Sequence, residues 1–373
     1  MTDKKDVSQL TNEDMMNIRD GHVMGDDPNH DLDEENEVLE VEAANQEEPL
    51  PDEVLEVEAA NQEEPLPEDA PGTFGDDRLI VVTGGAGFIG THLIKQLNNK
   101  GIENIILVDD LSDPLKINNI KHLKFQDYID KSKFIELFTF MVEKKMVKEL
   151  YHLGAESSTT CTDGKYLMEN NYQYTCNLMD ICAMNDVPMV YASSAAVYGD
   201  IDKEWTAFDD KSDDYTPNNY YALSKLQADK YSRKFISMAD KAKIIGLRYF
   251  NVTSFGEHEQ HKVGMKSAPC WMKEQYAKSG KVTLFIGSDQ FMRDFIPVEE
   301  AVYCTMNAMS QGRSGVYNIG TGEARSFLEL AQEIVADNDD IRYVPMPEEL
   351  ALHYQTYTCA NMDNACFGIG SRP

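Results

Sequence analysis

Residues 79–90 read Leu-Ile-Val-Val-Thr-Gly-Gly-Ala-Gly-Phe-Ile-Gly. Four apolar, largely β-branched residues mark a strand buried on both faces. Gly84, Gly87 and Gly90 follow at a spacing of three, and a helical pattern over Phe88–Lys100 begins among them. A chain passing straight from a buried strand into a helix turns its unpaired N–H groups toward whatever sits above the turn. That makes a pyrophosphate cradle, and glycine serves there because a Cβ would block close approach. The dinucleotide fingerprint also asks for an acidic residue about 20 positions further on. Asp109 ends the next apolar run, Ile105-Ile-Leu-Val108, where its carboxylate suits an adenosine ribose.

Working outward from Arg78, short apolar runs alternate with helical stretches, which argues a Rossmann-type, doubly wound parallel sheet of the α/β class. A polar segment holds Lys116 and Lys131, and an amphipathic stretch covers Phe134–Lys148. The strand Glu149–His152 opens into a small, hydroxyl-rich loop, Leu153-Gly-Ala-Glu-Ser-Ser-Thr-Thr160, placed to wall a cofactor. A helix over about 165–185 puts Asn170 on its inner face. The next strand, Val187–Tyr191, ends in Ala192-Ser-Ser-Ala-Ala-Val-Tyr-Gly199.

The net charge of −31 is uneven. Residues 1–75 carry 24 acidic and 3 basic side chains, whereas the other 298 carry 41 and 31. The front segment, poor in aromatics and repeating Glu37–Asp52 as Glu53–Glu68, cannot bury enough apolar surface to offset chain entropy. A disordered acidic tail with a 16-residue tandem repeat is predicted for 1–75. It reads as a solvated spacer, with a docking motif around Val-Leu-Glu-Val as the other reading. No basic stripe suggests nucleic acid, and no apolar run reaches the 18 or so residues of a membrane span. The opening Met-Thr-Asp-Lys-Lys-Asp has no signal-peptide core. Seven cysteines without a Cys-x-x-Cys pair suggest reduced thiols and no zinc site. These features predict a cytoplasmic location.

Ligands of open α/β sheets bind outside the carboxyl ends of strands, and Ser194 stands at such an end. Further on, Tyr221 and Lys225 open a helix continuing to about Ile236, and their i, i+4 spacing sets them on one face. An ammonium about 4 Å from the phenol is worth about 4 kcal/mol at an effective dielectric near 20. That corresponds to roughly three pKa units, bringing a phenol of about 10 towards neutrality, as a general base requires.

The glycine triplet, Ser194 and Tyr221-x-x-x-Lys225 together resemble the extended short-chain dehydrogenase/reductase superfamily. The resemblance implies Tyr221 as base, Ser194 as hydrogen-bond partner of the reacting oxygen, and Lys225 as holder of the nicotinamide ribose. It extends the cofactor contacts to Gly84, Gly87, Phe88, Ile89, Gly90, Asp109, Asp110, Lys116, Lys131, Leu153, Gly154, Ala155, Glu156, Ser157, Asn170 and Val252. In the 4,6-dehydratases of this superfamily an acid pair follows the serine; Ala195 and Ala196 stand there, so elimination has no acid or base of its own.

Further stretches are similar to the ADP-glyceromanno-heptose 6-epimerase family: Ser157-Ser-Thr-Thr160 with Asp163-Gly-Lys-Tyr166, Asn170-Asn-Tyr-Gln-Tyr174, Arg248-Tyr-Phe-Asn-Val252, His261-Lys262, Phe285-Ile-Gly-Ser288, Arg293-Asp-Phe295, Asn318-x-Gly-Thr-Gly322 and Tyr354-Gln355. The likeness spans about 79–373. It implies a redox-neutral inversion of a nucleotide sugar. Tyr221 takes the C6 hydroxyl proton while hydride passes to NADP, and the transient ketone re-presents its other face and takes the hydride back. Lys262 is the implied second acid/base, and Arg293 the diphosphate clamp, its guanidinium fork matching phosphate oxygens. Substrate contacts are implied at Ser194, Asn251, Gly264, Trp271, Phe285, Ile286, Gly287, Ser288, Arg293 and Tyr354.

Departures from that family are Gly264 in place of serine, Trp271 in place of histidine, Glu156 in place of a small residue, and Ile286 inside the Phe-x-Gly-Ser stretch. The resemblance also implies an amphipathic helix after the position of Pro373. Asp109-Asp110 favours NAD, whereas Lys116 and Lys131 suit a 2′-phosphate; NADP is expected, with NAD as the alternative. The expected organisation is a tail over 1–75, a dinucleotide-binding domain over 76–252 plus 291–321, and a small α/β nucleotide-sugar lobe over 253–290 plus 322–373. The expected activity is ADP-heptose 6-epimerisation by a homo-oligomer, supplying precursors of bacterial surface polysaccharide. The alternatives are a UDP-hexose 4-epimerase and a non-catalytic nucleotide-sugar-binding relative.

Overall fold

The structure, a computed structural model, describes residues 77–199, 215–237, 243–254, 258–262, 265–351 and 354–362. The tail expected over 1–75, and Gly264, lie outside the described residues.

Seven parallel strands form the main sheet: β1 (Leu79–Thr83), β2 (Ile105–Asp109), β3 (Asp127–Asp130), β4 (Val147–His152), β5 (Met189–Ser194), β6 (Ile244–Tyr249) and β10 (Gly315–Ile319). Their order, β10-β6-β5-β4-β1-β2-β3, is the doubly wound arrangement predicted from the alternating pattern. Every residue of β1, β2 and β6 is buried, as strands covered on both faces by helices must be. One apolar layer packs α1 (Phe88–Asn99) and α8 (Val298–Gln311) on one face of the sheet. A second layer packs α3 (Lys131–Glu143) and α5 (Tyr174–Met184) on the other.

The chain departs from this sheet after β6. Strands β7 (Asn251–Thr253), β9 (Met292–Pro297) and β11 (Ala324–Ser326) form a three-stranded sheet, and β8 (Val282–Phe285) pairs with β12 (Ile341–Val344). Helices α7 (Ala268–Ser279) and α9 (Phe327–Ile334) share an apolar cluster with β8, including Trp271, Leu284 and Phe327.

Several element boundaries differ from the sequence pattern. The strand expected from Glu149 begins at Val147, and the helix expected to about Ile236 ends at Ser232. Three further differences have a plain physical reason. The helix expected through Lys148 ends at Glu143, because Lys145 turns left-handed (φ 56°) and the chain enters β4 at Val147. The strand expected from Val187 begins at Met189, after Pro188, which has no N–H to give a ladder. The helix expected over 165–185 is interrupted by a π-helical stretch, Met168–Gln173, between α4 (Gly164–Leu167) and α5.

Candidate active site

The order of strands reverses between β1 and β4, and a crevice opens there beyond their carboxyl ends. Its floor is the glycine turn. Gly84 sits at φ +69°, and a Cβ on it would lie 2.6 Å from the Gly154 nitrogen; one on Gly90 would lie 2.1 Å from the Gly84 oxygen. Helix α1 therefore starts hard against the loop after β4, with no side-chain cap and no carboxylate in its first turn. Its first N–H groups and the positive end of its dipole suit an anion, so this cradle fits the diphosphate of a dinucleotide.

A cavity of about 680 Å³ rises from this floor, within the ~300–1,000 Å³ range of small-molecule sites. Gly84, Gly87, Phe88, Ile89 and Gly90 line it, as do Leu153, Gly154, Ala155, Glu156, Ser157 and Asn170 from the β4 side. Asp109, Asp110, Lys116, Lys131 and Val252 line it too. Asp109 is buried and already engaged: Oδ2 accepts from the Ala86 N–H (2.8 Å), and Oδ1 from the Lys116 ammonium (2.7 Å). Lys131 stands 3.6 Å from Asp110. Among the described residues no cluster of His, Cys, Asp and Glu has the makings of a metal site.

Ser194, Tyr221, Lys225 and Lys262 all face this same cavity. Asn219 caps α6 (Tyr220–Ser232), accepting from the Ala222 N–H, and so points the first turn of that helix at the strand ends. Ser194, the last residue of β5, hydrogen-bonds Tyr221. Lys225 donates to the Ala192 carbonyl at 2.8 Å. The acidified phenol expected from sequence is reversed here. Burial raises Tyr221 above the ordinary tyrosine value, the Ser194 hydrogen bond opposes that rise, and the Glu156 carboxylate adds to it. Lys225 bears its own burial cost, which pulls it down to about 8 against partial support from Asp229.

Asn251, Arg293 and Tyr354 also line the cavity. A side chamber of about 210 Å³ shares them with Ser194 and adds Ala195, Ala196 and Asn218. Arg293 is buried between aromatic rings, 5.3 Å from Tyr354 and 5.6 Å from Phe327, and donates to the carbonyls of Met292 and Gln355. The neighbouring Asp294 binds the turn at Thr321 and Gly322.

Five residues expected near the sugar lie away from both spaces. Trp271 is packed in the core under α7, Phe285 is buried against Tyr354, and Ser288 is buried. Ile286 is 63% exposed. Gly287 takes φ +92° in the turn after β8. Lys262 stands 5.0 Å over the ring of Phe88, at the first residue of α1.

The structure adds residues that sequence reasoning missed. Asn171 is fully buried and binds both the N–H and the carbonyl of Glu156 (2.9 Å each) and the Ser224 hydroxyl (3.2 Å). Ser224 in turn donates to the Tyr221 carbonyl. The π-helical stretch shifts the helical phase there, so both asparagines of Asn170-Asn171 reach inward. His152 ends β4 between Thr83 (2.6 Å) and Thr175 (2.9 Å), and burial holds it neutral, down to about 3. Its place at a strand end was a usable signal.

A parallel sheet with a glycine cradle at its switch point, and a serine, tyrosine and lysine on its neighbouring strand and helix, defines a dinucleotide-dependent enzyme fold. The chain belongs to the NAD dependent epimerase/dehydratase family, whose model matches residues 80–320. It is similar to the ADP-L-glycero-D-manno-heptose-6-epimerase of Brachyspira hyodysenteriae, 40% identical over 291 residues that cover 76% of this chain and 89% of that protein. The crystal structure of the Helicobacter pylori protein of the same name aligns at a TM-score of 0.63 and 28% identity, over 76% of this chain and 93% of that one. A UDP-N-acetylglucosamine 4-epimerase of Methanobrevibacter ruminantium shares the fold at a TM-score of 0.64 and 21% identity, over 80% of this chain and 93% of that one.

Proposed function

We propose that this protein inverts C6 of ADP-glycero-manno-heptose, from the D-glycero to the L-glycero form, as an NADP-dependent epimerase. The observation that carries this reading is the meeting of Ser194, Tyr221 and Lys225 above the glycine cradle, with Ala195 and Ala196 where an eliminating enzyme needs an acid and a base. The 40% identity to a heptose epimerase supports the choice of sugar.

When bound, the oxidised dinucleotide accepts hydride from the carbinol carbon, returns it, and brings a positive charge into the cavity. With that charge and the Lys225 ammonium at hand, Tyr221 would ionise to the phenolate and take the C6 hydroxyl proton on one face, while Ser194 holds the reacting oxygen. Lys262 serves the opposite face. Its contact with Phe88 is worth about 0.5–2 kcal/mol, small enough for the ammonium to leave that ring and reach the substrate. Arg293, preorganised by two carbonyls and two rings, takes the substrate diphosphate.

NADP is favoured because Lys116 already neutralises Asp109, and Lys131 faces Asp110. The ribose corner is thus no longer a bare acidic pair. A homo-oligomer is favoured by exposed apolar side chains on the outer helices, Leu137 and Phe140 on α3 and Met184 at the end of α5. Among the described residues no helix is long and apolar enough to cross a membrane, in keeping with a cytoplasmic enzyme feeding surface-polysaccharide assembly.

Purified protein incubated with ADP-D-glycero-D-manno-heptose and, separately, with UDP-hexoses is followed by NMR at C6 and C4. Inversion at C6 alone is expected. Inversion at C4 with C6 untouched would identify a 4-epimerase, and cofactor binding without any turnover would identify a binding protein.

A further inference from the structure

The turn His258–Lys262 brings His261 and Lys262 to the cavity, and two buried side chains fasten it. At its base, Glu259 is fully buried and spans the connection from β7 to α7. Its Oε1 accepts from the hydroxyls of Ser254 and Ser267 (2.7 Å each), and its Oε2 from the Ser267 N–H (2.6 Å). At its tip stands Asn119, on the short helix α2 (Ile117–Ile120) and 2% exposed. Its Nδ2 donates to the Ala86 carbonyl at 2.8 Å and reaches the His258 carbonyl at 3.3 Å and His261 Nδ1 at 3.1 Å.

Ala86 lies inside the glycine turn, and its N–H is already bound to Asp109. Two side chains therefore hold this one residue, one by the N–H of the peptide before it and the other by the carbonyl of the peptide after it. His258 adopts φ +61°, a left-handed conformation that a side-chain-bearing residue keeps only when its surroundings enforce it. Its ring also meets that of His92 on α1, at 5.0 Å.

We propose that Asn119 is a positioning residue for cofactor retention, tying the turn that carries His261 and Lys262 to the glycine turn so that the dinucleotide departs when this tie opens. The inference rests on the dinucleotide reading above. All three atoms facing the Asn119 amide are acceptors, so the tie needs a donor at that place. A carboxylate of the same size would oppose each of them. Burial and the Lys262 ammonium hold the His261 ring down to about 4, so it is neutral at pH 7, and the tautomer with its proton on Nε2 is the one whose Nδ1 accepts from the facing amide. The tie joins the cavity wall holding Lys262 to its glycine floor by a side chain that itself stands behind that wall.

The experiment loads the protein with NADPH and follows nicotinamide fluorescence after displacement by excess NADP in a stopped-flow instrument. Asn119→Asp is expected to release the reduced dinucleotide on the order of tenfold faster. His261→Ala, which removes the side-chain partner on the turn without touching the buried amide, is expected to speed release in the same direction, and it serves if the first variant fails to fold. The pair Asn119→Asp and His261→Ala should be non-additive in release rate, because both open the same tie. An asparagine that acted only on the folding of its own helix would leave that coupling at zero. Unchanged release in the folded variants, or strict additivity, overturns the inference while the dinucleotide reading stands. A wild-type protein that takes up no dinucleotide overturns both.

Discussion

Arg248 and Asp229 meet at 2.8 Å, Nε to Oδ2, with neither side chain more than 1% exposed. The pair sits directly behind the cavity wall that carries Ser194 and Lys225. Asp229 also accepts from the Ser193 hydroxyl (2.9 Å) and the Tyr191 hydroxyl (3.0 Å), beside Ser194 on β5. It lies four residues after Lys225 on α6 and supports the charge of that lysine. Arg248 reaches on to the Tyr198 hydroxyl at 3.2 Å. One buried ion pair thus joins β5, β6 and the helix that carries the tyrosine and lysine.

Removing one partner should be costly. Arg248→Met leaves the buried Asp229 carboxylate without its guanidinium partner, and the expected loss is about 3–5 kcal/mol of folding free energy. Urea unfolding measures it. A loss under 1 kcal/mol would mean that the pair is wetter than its burial indicates.

Lys225 gives a pH test with a definite sign. Its folded value, about 8, lies below the ordinary lysine value of 10.5. Between these values the unfolded chain holds more protons than the folded one, so stability climbs with pH there. The penalty of burying the charge is complete below about 8 and fades towards 10.5. Lys225→Met should therefore be more stable than the parent at pH 7, by up to about 3 kcal/mol, with most of the gap gone by pH 10. Paired urea melts at the two pH values decide it, and a gap independent of pH contradicts it.

Tyr221→Phe removes the proposed proton acceptor and leaves the ring. A fall in kcat on the order of 10²–10⁴ is expected, with dinucleotide affinity close to that of the parent. Turnover by NMR and titration of bound cofactor separate the two. A variant with parental turnover would transfer the base role to another group.

Gly90→Ala tests the cradle. The added Cβ would fall 2.1 Å from the Gly84 oxygen, a clash that only backbone movement relieves. Destabilisation of about 1–3 kcal/mol is expected, together with loss of dinucleotide binding by calorimetry. Retention of full affinity would show that the turn is looser than its contacts imply.

The parts of this architecture that sequence made legible are those written in local spacing. The glycine triplet, the aspartate ending β2, the serine ending β5 and the tyrosine–lysine pair each combine a short pattern with an adjoining strand or helix, and the cavity collects them all. Contacts between distant stretches were not legible. Asn119 to Ala86 spans 33 positions, and Asn119 to His261 spans 142. Asn171 was hidden by the π-helical shift, which no 3.6-residue periodicity anticipates. The direction of the Tyr221 shift failed for a related reason. Spacing sets Lys225 beside the phenol, but only the fold shows that its ammonium turns to the Ala192 carbonyl and that burial dominates.

The near-contact of Gly84 with Gly154 has a practical consequence for redesign. Where two main chains approach so closely, there is no room to write a new preference into the floor of the crevice by changing side chains. A swap between the two nicotinamide coenzymes would have to be engineered at the outer rim, around Asp110, Lys116 and Lys131, whose side chains border open space. The middle of the crevice is effectively closed to such editing, and its rim is where variation costs least.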